Sequence, residues 1–449
     1  MIIQGYLTMM RTDKKGEIHD VLGVGLGPFN LSLACLMAPL PDLDVVFLEQ
    51  KPEFSWHEGL MIPGTTLQNN FMADLVTLVD PTSPFSYLNY CKQQGKIYQC
   101  YFHENFYLTR LEYNQYCQWA ASQLENVHYR QQVTGVTFDY ERECYIVTAT
   151  DLQSECERQY YARRLVVGIG SAPRLPVCVD EAYQSAHSGL YLTKKSRLQK
   201  ASRITVIGSG QSGAEIYYDL LRDMDQYEYE LYWITRSSHF FQMETGKLAL
   251  ELITPDYADH FYSLGDEIKR RIVGDQDSIF KGINTSLIGQ IYDELAHKSQ
   301  PDLARTYLYS NLKLTQCNQL SSQTELVFDH CQTGRRYRFV SDEVVFATGY
   351  GYRIPEFMHG IVGRLRLDDG RYCQNENYAV DMSGDEVFIQ NAGLESHGVT
   401  NPDLGMNCYR NARIINAIMQ REVYSIDHNT TFQAFSPEGN DQFLPLSDP

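Results

Sequence analysis

Two glycine-rich turns, each set between a short apolar run and a helix pattern, are the features of this sequence best suited to chemistry. In the first, His19-Asp-Val-Leu-Gly-Val-Gly-Leu-Gly-Pro-Phe-Asn-Leu-Ser-Leu-Ala reads as strand, turn and helix. Gly23 and Gly25 supply a tight turn and a backbone thin enough for a helix N-terminus to face a pyrophosphate. Pro28 stands where G-x-G-x-x-G places its third glycine. The next apolar run, Asp44 to Leu48, ends in Glu49, 26 residues after Gly23, where a carboxylate can accept from ribose hydroxyls. The second turn, Arg203-Ile-Thr-Val-Ile-Gly-Ser-Gly-Gln-Ser-Gly-Ala-Glu-Ile, carries the full pattern at Gly208, Gly210 and Gly213, with Gln211 and Ser212 opening the helix. Its following strand, Leu231 to Thr235, ends in Arg236. An arginine there can neutralise the 2′-phosphate of NADP, although a solvated loop residue is the other reading of Arg236. One cradle ending in Glu and one in Arg imply two different dinucleotides. FAD in the first and NADPH in the second is the economical pair, because hydride must pass to an acceptor and no haem or iron–sulfur ligation pattern occurs.

These turns need an α/β frame: two Rossmann-like dinucleotide-binding domains plus a small substrate-binding region. At ~150 residues per domain, 449 residues hold about three domains' worth of chain. Arg163-Arg-Leu-Val-Val-Gly-Ile-Gly and Asp342-Glu-Val-Val-Phe-Ala-Thr-Gly-Tyr each read as a strand ending in a glycine turn, and mark the crossings between domains. The expected organisation is therefore an FAD-binding domain in two parts, 1–195 and 341–449, with an NADPH-binding domain and substrate-lining segment, 196–340, inserted between them. From about Asp427 the chain is turn-rich, a tail with latitude to move.

Composition narrows the partners. Apolar residues at 43% and charged residues at 21% are those of a folded globular chain. The balance of 38 Lys+Arg against 56 Asp+Glu, a net −18, repels phosphate backbones and anionic lipid, so neither nucleic acid nor a membrane surface is an expected partner. Eleven cysteines without a C-x-x-C suit reduced thiols in the cytoplasm and give no metal site. No stretch approaches the ~18 apolar residues of a membrane span, and Met1 to Asp20 has no signal-like apolar core.

Further text is more specific: Phe54-Ser-Trp-His-Glu-Gly-Leu, Leu67-Gln-Asn-Asn-Phe-Met-Ala-Asp-Leu-Val-Thr-Leu-Val-Asp-Pro-Thr-Ser-Pro-Phe-Ser-Tyr-Leu-Asn-Tyr, Ala347-Thr-Gly-Tyr, and Glu395-Ser-His-Gly-Val-Thr-Asn-Pro-Asp-Leu-Gly. Together with Gly23-Val-Gly-Leu-Gly-Pro-Phe-Asn-Leu, this resembles the N-hydroxylating flavin monooxygenases of siderophore biosynthesis, the lysine N6- and ornithine N5-hydroxylases and the diamine hydroxylases. The resemblance spans nearly the whole chain in order, and the family's proline accounts for Pro28. It implies that Gly23, Gly25, Pro28 and Glu49 hold FAD, that Trp56, His57 and Gln68 lie along the flavin, and that Gly208, Gly210, Gln211, Ser212 and Arg236 hold NADPH. It also implies that reduced flavin takes up O2 as a C4a-hydroperoxide, whose distal oxygen a neutral primary amine attacks. Gln68 and Asn407 are the candidate catalytic groups, with Asn411 and Gly398 near the isoalloxazine. Core packing for Trp56, a structural role for His57 and helix capping for Asn407 and Asn411 are the bland alternatives.

One departure carries substrate information. The amino-acid hydroxylases have Phe-Leu-Lys-Asp-Leu, the lysine meeting the substrate α-carboxylate; this chain has Phe71-Met-Ala-Asp-Leu, with Ala73 at the lysine position. A methyl group cannot pair with a carboxylate, and a buried unpaired anion costs several kcal/mol. The expected substrate is a small primary amine without that carboxylate: putrescine, cadaverine or histamine. Phe241, Glu244 and Glu251 fall in the stretch that lines the substrate in the resembled family, and solvated faces are their alternative. Lys247, Lys281 or Arg353 could instead supply the missing cation, which keeps lysine or ornithine open. Baeyer–Villiger or sulfide-oxidising flavoproteins share two cradles but lack the Gln68-to-Asp80 text; disulfide reductases need a redox cysteine pair; a nucleotide sensor without turnover is the non-enzyme reading. A homo-oligomer, dimer or tetramer, is expected from the resemblance.

Overall fold

The computed structural model describes residues 16–299, 305–437 and 440–443. Most of the amino-terminal stretch read above for a signal, and Gly439 of the tail, lie outside them.

The first glycine turn springs from the middle of a seven-stranded sheet. Its order is Val127–Tyr129, Val45–Glu49, Ile18–Val24, Glu157–Val167, Cys144–Asp151 and Gln131–Asp139, with Val387–Ile389 also pairing Glu157–Val167. The strands around the turn are parallel and the last two antiparallel. Val45–Glu49 is buried along its full length, as a strand covered on both faces must be. Helix Pro28–Met37 follows the turn and is almost wholly buried, because helix Asn407–Met419 packs over it and shields it from water.

The second turn belongs to a four-stranded, all-parallel sheet ordered Thr306–Tyr309, Glu230–Ile234, Arg203–Ile207 and Glu343–Phe346. An antiparallel meander of Leu312–Gln319, Thr324–His330 and Arg336–Ser341 packs beside it. The α/β class with two Rossmann-like sheets is thus as expected. One boundary needs correction: Glu343–Phe346, allotted above to the returning segment 341–449, pairs in register with Arg203–Ile207. The two crossings lie side by side, since Ala172–Pro173 and Tyr350–Gly351 form a short antiparallel ribbon. The tail also differs from expectation. The Asn429 and Thr430 amides donate to the Asp256 carboxylate and those of Phe432 and Gln433 to Glu251, so the tail is tied along helices Lys247–Leu250 and Pro255–Ser263. No helix among the described residues is long and apolar enough to cross a membrane.

Near the C-terminal turn, His397 is 2% exposed and stacks on Tyr378 at 4.1 Å and Tyr262 at 5.2 Å. Burial, and next the Arg410 charge, push its pKa down to about 3. The native ring stays neutral where the unfolded one, with an ordinary pKa near 6.5, takes up a proton. Its contribution to stability is therefore lost as pH falls below about 6.5, at roughly 1.4 kcal/mol per pH unit. Denaturant unfolding at pH 6.5, 6.0, 5.5 and 5.0 should show this loss within the total pH slope, and His397→Phe, which keeps an aromatic ring in the stack, should flatten the slope by about that amount; equal slopes in the two proteins would refute the assignment.

Candidate active site

Each cradle is shaped by contacts that leave its helix N-terminus free. Gly25 has φ +81°, and a Cβ there would lie 2.8 Å from the Gly168 carbonyl oxygen, so any side chain would be both strained and crowded. Gly27 precedes the helix and Pro28 opens it, with no side chain capping the first N–H groups. The Glu49 carboxylate is 8% exposed and accepts from the Leu26 amide at 2.6 Å and the Lys51 amide at 2.9 Å, which holds it against the turn at the end of its strand. In the second cradle Gly208 has φ +121°, and a Cβ would sit 2.1 Å from the Ala347 carbonyl oxygen. Gly210 precedes helix Gln211–Asp223, again without a side-chain cap, so Gln211, Ser212 and Gly213 offer open amides in its first turn. Helices beginning at Tyr87, Arg110, Pro255 and Thr285 are capped by Ser86, Thr109, Thr254 and Asn284. Two uncapped ends, each behind a glycine turn, fit a dinucleotide phosphate. Arg236 is exposed at the end of Glu230–Ile234 and forms no ion pair among the described residues.

The cradles meet through side chains. Gln68 Nε2 donates to Gln211 Oε1 at 3.3 Å, and that oxygen also accepts from the Asn284 amide at 2.8 Å. Gln211 Nε2 donates to Glu215 Oε1 at 2.8 Å, and the Arg110 guanidinium binds both Glu215 oxygens at 2.7 and 2.9 Å. The Glu215 side chain is 1% exposed and Arg110 12%. Burial pushes the Glu215 carboxyl up, against the opposing pull of Arg110 and Gln211. Trp56 packs edge-on to His57 at 4.4 Å and Tyr113 at 5.4 Å. The His57 ring is open to solvent on one side, yet the protein around it, then the Arg110 and Lys51 charges, lower its pKa to about 4, so the imidazole is neutral near pH 7.

Asn407 and Asn411 face inward. Asn407 Nδ2 donates to the Pro28 carbonyl at 3.3 Å, and Asn411 Nδ2 donates to Asn407 Oδ1 at 2.9 Å and to the Phe29 carbonyl at 3.0 Å. Both are buried, and they clasp the C-terminal helix to the start of the first-cradle helix. Ala73 lies in a loop that Asp74 makes rigid: this carboxylate accepts from the amides of Val76, Thr77 and Tyr87 and from the Thr77 hydroxyl. Phe241 and Glu244 are not brought to that loop by any recorded contact. Phe241 lies 6.0 Å from the His239 ring, and Glu244 accepts from the Gly246 amide at 2.7 Å. Glu251 holds the tail instead. Among the described residues no substitute cation is paired at that loop: Lys281 is on Asp277 at 2.5 Å, and Lys247 and Arg353 are exposed.

A sequence profile described as L-lysine 6-monooxygenase/L-ornithine 5-monooxygenase matches residues 17–352. The chain belongs to this family. Among its relatives, an alcaligin biosynthesis enzyme of Bordetella pertussis is 47% identical over 94% of this chain and 92% of its own. A putrescine N-hydroxylase of Shewanella oneidensis is 45% identical over 95% of this chain and 87% of its own. A crystal structure of a cadaverine monooxygenase of the desferrioxamine pathway of Erwinia amylovora, bound to FAD, superposes with a TM-score of 0.90 at 43% identity, covering 96% of this chain and all of that one. As a member of the lysine/ornithine monooxygenase family, the chain is a flavin-dependent N-hydroxylating monooxygenase.

Sequence reasoning missed Arg110 and Glu215. Glu215 carried a faint signal, an acid one turn after Gln211 on the helix that opens the second cradle; Arg110 carried none. Removing one partner of this pair strands the other in the interior, so Arg110→Ala and Glu215→Ala should each cost about 3–5 kcal/mol. In a double-mutant cycle read by denaturant unfolding, the double variant should cost far less than the sum, and additive losses would refute the pairing.

Proposed function

We propose that this chain N-hydroxylates one amino group of a linear diamine, putrescine or cadaverine, with FAD and NADPH as cofactors and O2 as oxidant, in siderophore biosynthesis. The observation that carries the reading is Ala73 in a loop held by Asp74, with no cation paired at it among the described residues. An α-carboxylate has no partner there, whereas a diamine needs none. Two relatives at 45% and 43% identity, a putrescine N-hydroxylase and a cadaverine monooxygenase, support the same choice.

The reaction balances as amine, O2, NADPH and a proton giving hydroxylamine, NADP⁺ and water. FAD, reduced by NADPH, supplies the oxygen-transfer chemistry when bound. The chain's tasks are binding, orientation and proton control. Gly23, Gly25, Pro28 and Glu49 cradle FAD in the seven-stranded sheet; Gly208, Gly210, Gln211, Ser212 and Gly213 cradle NADPH in the four-stranded one, with Arg236 on the 2′-phosphate. On this reading the inserted NADPH unit runs to the end of the strand Glu343–Phe346. Gln68 joins the two cradles, Trp56 and His57 flank the flavin, and Asn407 positions the first-cradle helix. The amine must lose its proton before reaction, because its lone pair is the nucleophile. A neutral His57 adds no positive charge and can accept a hydrogen bond. Eleven free thiols suit a cytoplasmic setting.

Helix Ile97–His103 supports a homo-oligomer: none of its residues is buried, and Tyr98, Tyr101 and Phe102 are 74%, 73% and 73% exposed. Replacing those three by serine should shift the mass seen by light scattering towards the monomer, with unchanged far-UV dichroism; an unchanged mass would remove this face from the interface.

The deciding assay scores hydroxylamine beside NADPH oxidation for putrescine, cadaverine, histamine, ornithine and lysine. Product from a diamine and none from the amino acids is expected. Efficient product from lysine or ornithine would overturn the reading of Ala73.

A further inference from the structure

We propose that Asp403 is the anionic subsite that receives the distal ammonium of the diamine, beside the methyl group of Ala73. The inference rests on the diamine reading and adds the residue that selects a second amino group.

Asp403 sits just ahead of the short turn Leu404–Met406, which leads directly into the helix that Asn407 clasps to Pro28. Its Oδ1 accepts from the Gly405 amide at 2.6 Å and from Asn69 Nδ2 at 2.8 Å. Asn69 is the residue after Gln68 on strand Thr66–Asn70, so the carboxylate is anchored to the strand that reaches the second cradle. A carbon placed on Gly405 would lie 2.9 Å from Asp403 Oδ1, 3.0 Å from Asn69 Nδ2 and 3.5 Å from the Ala73 methyl. Acid, amide and methyl thus converge on one point, and glycine at 405 leaves that point open. All four residues are partly exposed.

The carboxylate at this point has no direct ion-pair partner among the described residues, and the Arg410 charge acts on it without contact. Both recorded donors serve Oδ1, and among the described residues none donates to Oδ2. No Lys, Arg or His of the described residues stands in ion-pair contact with Asp403. The nearest influence is Arg410, whose guanidinium is spent on the Asn401 carbonyl and Gln390. Surrounding protein pushes the carboxyl upward, the strain a missing counter-ion relieves. A carboxylate held by two neutral donors, with one oxygen free and a small apolar neighbour, is complementary to a primary ammonium on a methylene chain. The same charge repels the α-carboxylate of an amino acid, so Asp403 and Ala73 select in the same direction. No bond is made or broken at Asp403; the distal nitrogen stays protonated, as its ordinary pKa near 10 favours.

The test compares holoenzyme and Asp403→Asn with cadaverine and pentylamine, which differ by one terminal amino group, scoring hydroxylamine. Asparagine keeps the acceptor for the Gly405 amide and removes the charge. The unaltered enzyme should prefer cadaverine over pentylamine at least tenfold in kcat/KM. In Asp403→Asn the ratio should fall towards one, through KM for cadaverine and not through kcat, with Asp403→Glu recovering part of it. Calorimetry of cadaverine binding to the oxidised enzyme should show the same tenfold or greater loss. A ratio retained in Asp403→Asn overturns this subsite while leaving diamine hydroxylation standing. An unaltered enzyme that treats pentylamine as well as cadaverine overturns it without any variant, and one that hydroxylates lysine but no diamine removes the parent reading as well.

Discussion

A carboxylate on the buried face of a nucleotide-binding helix is tolerable only beside a cation, and here the cation comes from the other part of the molecule. Glu215 belongs to the helix of the second cradle and Arg110 to a helix that packs with the first, yet the two are joined by a bidentate pair with almost no exposure. Desolvating the two ions costs several kcal/mol each, which only close, two-pronged geometry offsets. The pair therefore has little net stabilising value and a strong orienting one. Slippage between the two sheets would leave both charges buried and unmatched. Gln211 extends the constraint, because one amide reaches Glu215 while its oxygen takes Gln68 and the Asn284 backbone. The first residue of the second-cradle helix is thus registered against the strand that passes the loop of Ala73.

That registration matters because both cradles present incomplete structures. A helix N-terminus has N–H groups that water, a side chain or a ligand must satisfy. In the two cradles the residues at the cap are Gly27 and Gly210, which have no side chain to offer, and the turns before them exclude one. Hydride transfer needs the two bound nucleotides a few ångströms apart, so the relative position of the cradles is itself a functional quantity. Side-chain contacts between them, and not either glycine turn alone, set it.

Local features were legible in the sequence for the same reason that distant ones were not. Gly25 and Gly208 announce their turns because conformation at one residue is a property of that residue. Glu49 announces itself because a strand of known length carries its end to a known place. The edge strand Glu343–Phe346 was misallotted because an apolar run reads identically in either sheet, and only pairing with Arg203–Ile207 decides. The tail read as free because turn-forming residues say nothing about Glu251 and Asp256, which hold it. Arg110 and Glu215 are 105 residues apart, and Asn69 and Asp403 are 334. No periodicity links such positions. The resemblance supplied Ala73 as a departure, but the acid beside it emerged only from the fold.

The strand Thr66–Asn70 then acquires an electrical direction. At its beginning the Arg110 amide bonds to the Thr65 carbonyl, and the guanidinium reaches the Leu60 carbonyl and Glu215. Near that end stands His57, where the surrounding protein and then the Arg110 and Lys51 charges lower the imidazole pKa to about 4. At the other end Asn69 holds Asp403, which has no ion-pair partner among the described residues. A diamine carries two ammonium groups in water and must present one nitrogen neutral and keep the other charged. On the proposed diamine reading, an acid at one end alone supports the charge of the nearer amine and leaves the farther one without that support, because the interaction decays with distance. A single carboxylate placed midway would hold both protons, and a symmetric apolar slot would expel the substrate. On that reading, an acid at one end of a short strand, with the Arg110–Glu215 pair and a neutral His57 at the other, would treat two chemically identical nitrogens differently.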